Sequence, residues 1–260
     1  MNKILALSLL ILLPFGLLQA ETAEEKGLSI AQQVDARDQG WGDQSANMRM
    51  VLTNRQGDTS TRMIRLRSLE VPEDGDKSIS VFDDPADVKG TAFLSHTHAV
   101  KPDDQWLDLP ALKRVKRISS SNKSGPFMGS EFAYEDIASQ EVAKFSYKYL
   151  REEDLDGRPV FVSEQLPQYK KSGYTRQIVW VDRERYIPLK VEYYDRKNAL
   201  LKTLTFVGYQ QYLDKYWRAT EMKMVNHQTG KSSQLIWSDY KFQTGLSGKD
   251  FDRSVLKRIR

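Results

Sequence analysis

The strongest constraint on this chain is a long succession of short segments whose hydropathy alternates with a period of two. Consecutive side chains of a strand point to opposite faces, so Ala46, Met48, Met50 and Leu52 share one face and Asn47, Arg49 and Val51 the other. Gln56-Gly57-Asp58 makes a turn, after which Met63, Arg65, Arg67 and Leu69 alternate against Arg62, Ile64, Leu66 and Ser68. The two runs read as a hairpin. The same pattern predicts strands near 77–83, 90–96, 105–109, 143–150, 159–165, 175–182, 189–194, 200–208, 216–225 and 233–242. Turn residues separate most of them, as at 73–75, Asp156-Gly157, Lys171-Ser172-Gly173 and Gln228-Thr229-Gly230. The links are too short to hold crossover helices, so neighbouring strands are expected to be antiparallel.

Ahead of the strands the spacing predicts one helix over 27–39, with Leu28, Ala31 and Val34 on one side and Gln32, Gln33, Asp35 and Arg37 facing out. A helical turn is expected near 250–260. Residues 1–20 read as a secretory signal: Lys3 gives the positive start, Ile4 to Leu18 is almost unbroken apolar chain, and Ala20 offers a small residue for cleavage. That apolar run falls short of the ~20 residues a spanning helix needs, and acidic Glu21, Glu24 and Glu25 follow it. The expectation is an exported, periplasmic protein cleaved after Ala20, with 21–260 forming a single domain. The chain has no cysteine, which excludes disulfides, thiolate metal sites and an acylated cysteine anchor. Hydrophobic residues at 40% and charged residues at 28% argue against disorder, and a net charge of +4 is weak support for a nucleic-acid partner.

Some strands alternate cleanly, as in Leu189, Val191 and Tyr193 against Lys190, Glu192 and Tyr194. Others are apolar on both faces, as in Ile178-Val179-Trp180-Val181 and Leu204-Thr205-Phe206-Val207. Strands of the second kind need cover on both sides, yet few helices are available. Two architectures satisfy this: a two-layer sandwich with packed inner faces, or a curled sheet of about ten or eleven strands enclosing an apolar cavity.

The segment between the strands near 105–109 and 143–150 is chemically distinctive. A strand bearing Trp106 and Leu109 leads through Leu112 to a basic step of Lys113, Arg114, Lys116 and Arg117. A polar, glycine-containing loop follows, with the apolar residues Phe127, Met128 and Phe132. Apolar loop residues beside cations could meet the tails and the anionic head of an amphiphile. With Val115 and Ile118 between the charges, the basic step is equally an ordinary strand with a solvated face.

The string from Asp103-Asp104-Gln105-Trp106-Leu107 through Pro110-Ala111-Leu112-Lys113-Arg114 to Gly129-Ser130-Glu131-Phe132 resembles the outer-membrane lipoprotein-sorting protein family, whose fold is similar to that of the periplasmic lipoprotein carrier LolA. The resemblance runs from about Ala31 to the C-terminus. It implies a mainly β fold: a curled antiparallel sheet forming an unclosed half β-barrel of about eleven strands, covered by a few helices, with an apolar cavity for acyl chains. It also implies lipid or lipoprotein acyl chains as cargo and a resistance-nodulation-division (RND) exporter as partner. On this reading Trp106, Leu109, Leu112, Phe127, Met128 and Phe132 line or rim the cavity. Lys113, Arg114, Lys116 and Arg117 contact head groups or a partner, and transient contact with a membrane is compatible with the role. The alternative is an adaptor that docks the transporter through its basic segment and carries nothing.

Signatures of enzymes are missing. The chain has no G-x-S-x-G elbow, no phosphate-binding G-x-x-x-x-G-K-S/T loop and no G-x-G-x-x-G. His96-Thr97-His98 could place two imidazoles on one strand face, but no further ligand set accompanies them. The adjacent carboxylates Asp83-Asp84 and Glu152-Glu153 read as turn residues. No catalytic residue, cofactor or metal is expected. The late aromatics Tyr193, Tyr194, Tyr209, Tyr212, Tyr216 and Trp217 are assigned to core or cavity packing rather than to stacking on nucleic acid.

Overall fold

The computed structural model describes residues 20–258 apart from positions 73 and 120. Residues 1–19 of the predicted signal, position 73 of the predicted turn, position 120 of the central string and the last two residues of the predicted closing turn lie outside the described residues. The elements are α1 (Ala23–Arg37), β1 (Asp43–Thr53), β2 (Thr59–Leu69), β3 (Lys77–Asp84), β4 (Ala92–His96), β5 (Asp104–Leu109), β6 (Arg114–Ile118), α2 (Tyr134–Ile137), β7 (Phe145–Leu155), β8 (Arg158–Pro167), β9 (Arg176–Asp182), β10 (Pro188–Tyr194), β11 (Leu200–Val207), β12 (Gln210–Tyr212), β13 (Tyr216–Arg218), β14 (Glu221–Asn226) and β15 (Ser232–Phe242).

Thirteen strands form one sheet in the order β6-β5-β4-β3-β2-β1-β15-β14-β11-β10-β9-β8-β7, while β12 and β13 form a separate hairpin. The sheet consists of two meanders, β1–β6 and β7–β15, joined where β1 pairs antiparallel with β15. The edge strands β6 and β7 do not pair with each other, so the sheet is not closed into a barrel. It is nevertheless strongly curled. One apolar cluster draws Leu107 and Ile118 from one end of the strand order together with Phe161 and Val179 from the other, which a flat sheet could not do. A sandwich is excluded because the inner face belongs to a single sheet.

Strands that are apolar on both faces obtain cover differently on each side. Val179 and Val181 face inward, while Ile178 and Trp180 join Val160 and Val162 in an outer cluster. Lys190 lies over the Trp180 ring at 3.5 Å from its centroid, and the indole donates to Glu153. Long charged side chains thus do the covering expected of helices. A second outer cluster, Ile79, Val81, Ala92 and Leu94, is sealed by Phe251 and Leu256 of the C-terminal segment. That segment forms two short 3-10 turns.

Four local expectations need correction. The helix starts four residues early because Thr22 and Glu25 form a capping box, satisfying orphan N–H groups at its first turn. On that helix Leu28 is exposed and Asp35 turns toward the interior cavity, whereas Arg37 is exposed as expected and reaches the cavity's rim. The strand expected at 216–225 is broken after Arg218 into β13 and β14, while the basic step takes the second of its two readings, strand β6 with a solvated cationic face. Asp83-Asp84 and Glu152-Glu153 lie in β3 and β7 rather than in turns, and Glu152 and Glu153 point to different partners, Arg183 and Arg151 respectively.

Helix α1 packs chiefly on the edge strand β7. Gly27 makes the approach possible: a Cβ there would come within 2.7 Å of the Tyr149 amide nitrogen and 2.9 Å of the Lys148 backbone. Any side chain would push the helix off the strand.

Candidate functional site

The curled sheet, α1 and the segment joining β6 to β7 enclose a cavity of about 1150 Å³. It is larger than the ~300–1,000 Å³ of ordinary small-molecule pockets. Its apolar wall comes from the second meander, with Val179, Val181, Val191, Leu204, Met222 and Leu235. Inward positions on β9, β10, β11, β14 and β15 supply these side chains, as strand alternation requires. From the helix side, Ile30, Ala31 and Val34 complete it. The rest of the lining is mixed: its polar part comprises Ser68, Ser78 and Ser80 from β2 and β3, Ser163 and Gln165 from β8, and Asp35, Asp76, Ser139 and Glu141, alongside Met48 and Leu66, and Ser163 pairs directly with Val179 of the apolar wall. The β12–β13 hairpin stands at the cavity's rim. Trp217 and Arg218 line the cavity, and the Tyr212 and Tyr216 rings pack on Phe242.

The segment that crosses from one sheet edge to the other is a plug. Phe127 is fully buried against Phe82, Phe93 and Tyr134, with ring centroids 6.1, 5.2 and 5.5 Å away. Met128, at a positive φ of 50°, packs on the same cluster, and its carbonyl accepts from Arg62 of β2. On the other side the segment is tied to the second meander by buried polar contacts. Lys202 of β11 donates to Asp136 at 2.7 Å and to the Glu131 carbonyl at 2.8 Å, and Tyr174 donates to Asp136 at 2.8 Å. Asn226 donates to Glu131 at 2.6 Å, while Glu135 accepts from Tyr169, Ser172 and the Gly173 amide. Burial pushes the Glu135 carboxyl up. The Lys202 and Asp136 side chains are 5% and 2% exposed, so this ion pair is removed from solvent.

Of the six apolar residues singled out from sequence, only Phe132 lines the cavity. Phe127, Met128 and Leu109 belong to the plugged core, Trp106 packs with the outer cluster under the C-terminal segment, and Leu112 is 68% exposed. Lys113, Arg114, Lys116 and Arg117 lie on or beside the free edge strand β6, outside the cavity. Arg117 pairs with Asp104. Of the late aromatics, Tyr193, Tyr209 and Trp217 line the cavity. His96 and His98 are used structurally: His96 Nε2 bonds the Phe251 carbonyl, and His98 lies between Asp74 at 2.7 Å and Asp104 at 3.3 Å. Among the described residues no group of three or more candidate ligands could hold a metal ion. Sequence reasoning missed the inward serines and the acidic residues of the polar lining. Ser78-Ile79-Ser80 and Ser163 between Phe161 and Gln165 would have signalled them, as small polar side chains on the inner face.

The polar lining carries three carboxyls that burial raises, Asp35 and, more strongly, Asp76 and Glu141. Burial raises Asp76 to about 6 and Glu141 to about 7, and the Asp76 charge adds to the effect on Glu141. The folded protein therefore binds these protons more tightly than the unfolded chain. The resulting contribution to stability is complete below the ordinary carboxylate range and is lost as pH rises through about 6 and about 7. Glu141→Gln is accordingly expected to raise the melting temperature above pH 7, by the equivalent of roughly 1 kcal/mol after allowance for solvent screening. The gain should disappear below about pH 4, where the carboxyl is protonated in both states. Thermal melts of both proteins across this range check it; a gain that persists in acid would contradict the assignment.

A family model described only as an uncharacterized protein matches residues 74–258. A crystal structure described as an outer membrane lipoprotein-sorting protein domain, from Vibrio parahaemolyticus, is 63% identical over 90% of this chain and 100% of its own, with a TM-score of 0.89. The chain belongs to the outer-membrane lipoprotein-sorting protein family. Within its wider circle, a DUF1329 family protein from Desulfovibrio piger is 32% identical over 90% of this chain and 99% of its own, at a TM-score of 0.85. A LolA superfamily protein from Nitrosomonas europaea shares the fold at a TM-score of 0.70 and 24% identity, covering 91% of this chain and all of that one. No curated protein matches the chain. The LolA-like architecture of the family is thus the one built here from two meanders and a plug, and no described helix is long and apolar enough to cross a membrane.

Proposed function

We propose that this protein is a periplasmic carrier that buries the acyl chain of a lipid or lipoprotein between the second meander and α1, without catalysing a reaction. The observation that carries the reading is the cavity of about 1150 Å³, apolar along one wall, in a member of a lipoprotein-sorting family. Each methylene moved from water to such a wall contributes about 0.8 kcal/mol, so one long chain is enough for tight binding. Export through an N-terminal signal segment is part of the proposal. An RND exporter is the partner class suggested by the family resemblance. The exposed cations of β6 suit docking to such a partner better than contact with the guest, because they stand at the free sheet edge away from the cavity.

The test is organic extraction of the purified protein followed by mass spectrometry, with displacement of an environment-sensitive fluorescent fatty acid as the second readout. Stoichiometric acyl-bearing molecules, and displacement that strengthens with chain length, are the expected results. Protein that is empty and binds no chain of any length, yet still associates with an exporter's periplasmic domain, would establish the adaptor reading instead.

A further inference from the structure

The carrier reading leaves the polar part of the guest unspecified, and this inference rests on that reading. We propose that the cavity takes a cationic amphiphile, its tail on the apolar wall and a protonated amine held among Asp35, Asp76 and Glu141.

Charge is the first argument. The protein as a whole is basic, at +4, yet nine carboxylates and only four cations line its cavity. The cations are already committed. Arg218 pairs with Asp38, Arg37 donates to the Glu184 carbonyl, Lys215 donates to the Gln39 carbonyl, and Arg185 lies 3.7 Å from Asp182 and over the Trp217 ring. Asp35, Asp76 and Glu141 have no cation within ion-pair distance among the described residues. They come from three separate elements, α1, the lead into β3 and the plug segment, so the fold itself gathers like charges in one chamber. A bound cation would relieve that repulsion in a partly desolvated place, where Coulomb terms exceed their value in water.

The second argument is independent of charge. Ser163 is 2% exposed, lines the cavity, and its Oγ has no hydrogen-bond partner. A buried hydroxyl without a partner is costly to keep, and in a native fold it points to an absent one. Along β8 the next inward residue is Gln165, which opposes Tyr147; the Tyr147 hydroxyl donates to the Val142 carbonyl, beside Glu141. The open hydroxyl and the acidic group therefore lie along one stretch of wall. Once ionised, these carboxylates only accept hydrogen bonds and a hydroxyl can accept, so in its charged state the wall asks for a donor. An ammonium is the donor that also supplies the missing charge. A fatty acid would bring one more carboxylate to the group.

The test compares three amphiphiles of one alkyl length, an amine, an alcohol and a carboxylate, on delipidated protein. Binding is followed through the intrinsic fluorescence of Trp41, Trp217 and Trp237, which line the cavity. The amine is expected to bind about tenfold more tightly than the alcohol, a difference of about 1.4 kcal/mol, and the carboxylate more weakly than either. In an Asp76→Asn/Glu141→Gln variant the amine's advantage over the alcohol should vanish. Equal binding of all three, or preference for the carboxylate, would overturn the inference and leave the carrier intact. Failure of all three to bind would overturn the carrier reading and the inference with it.

Discussion

Replacing Ala31 with tryptophan is expected to cut affinity for a long acyl chain by about 100-fold while leaving the melting temperature unchanged or higher. Ala31 faces the cavity from α1, opposite the apolar wall of the second meander. An indole there would occupy the space of about three or four methylenes, at about 0.8 kcal/mol each, and each 1.4 kcal/mol is tenfold in affinity. Overpacking ordinarily costs a core about 1–3 kcal/mol, but only where no room exists. Here the room is open, so the new ring gains contacts instead of forcing strain. Titration with chains of increasing length is the decisive measurement. Short chains should bind as before and long chains should lose affinity progressively, whereas Leu112→Trp on the exposed side should change nothing. Unchanged affinity at every length would mean that the chain lies elsewhere.

Lys202→Met should destabilise the fold by about 3–5 kcal/mol, the cost of leaving a buried carboxylate without its cation. Asp136 would keep the hydroxyl of Tyr174 and the amide of Ala133 but lose the charge that balances it. The double variant Lys202→Met/Asp136→Leu should recover a large part of that loss, because replacing both members removes the stranded charge. Chemical denaturation of the two single variants and the double gives the coupling directly. Additive losses would show that the pair does not hold the plug to β11. Hydrogen exchange adds a spatial check: amides of 125–136 should lose protection before those of β1 and β15.

The sheet was legible in the sequence wherever one face is wet. Ala46 to Leu52 alternates because one side meets the cavity or core and the other meets solvent, whereas in β10 only Val191 and Tyr193 face inward and Leu189 and Tyr194 pack on the outer cluster. Ile178 to Val181 gave no such contrast, because the outer face is covered by Lys190 and its neighbours, and a lysine stem is invisible to a hydropathy pattern. The plug misled for a related reason. Phe127, Met128 and Phe132 sit in a glycine-containing loop, and loop residues usually lie at the surface. Their burial depends on β3 and β4, whose Phe82 and Phe93 are far away in sequence and receive them. The site was hidden by chemistry as well as by distance. A carrier has no reacting group to give it a motif, so its cavity is written only as missing bulk: serines on strands where larger side chains would have filled the interior.

The order of strands carries a consequence for how the molecule forms. Each meander is made of near neighbours, but the seam between β1 and β15 joins residues such as Asn47 and Ser238, almost the whole chain apart. Contacts so distant close slowly, since the entropy of a long loop must be lost before any pairing repays it. The chain cannot zip this seam until its last strand has emerged, and until then two half-sheets with bare margins must avoid other partners. Biogenesis, more than mature stability, is therefore where this topology is most exposed.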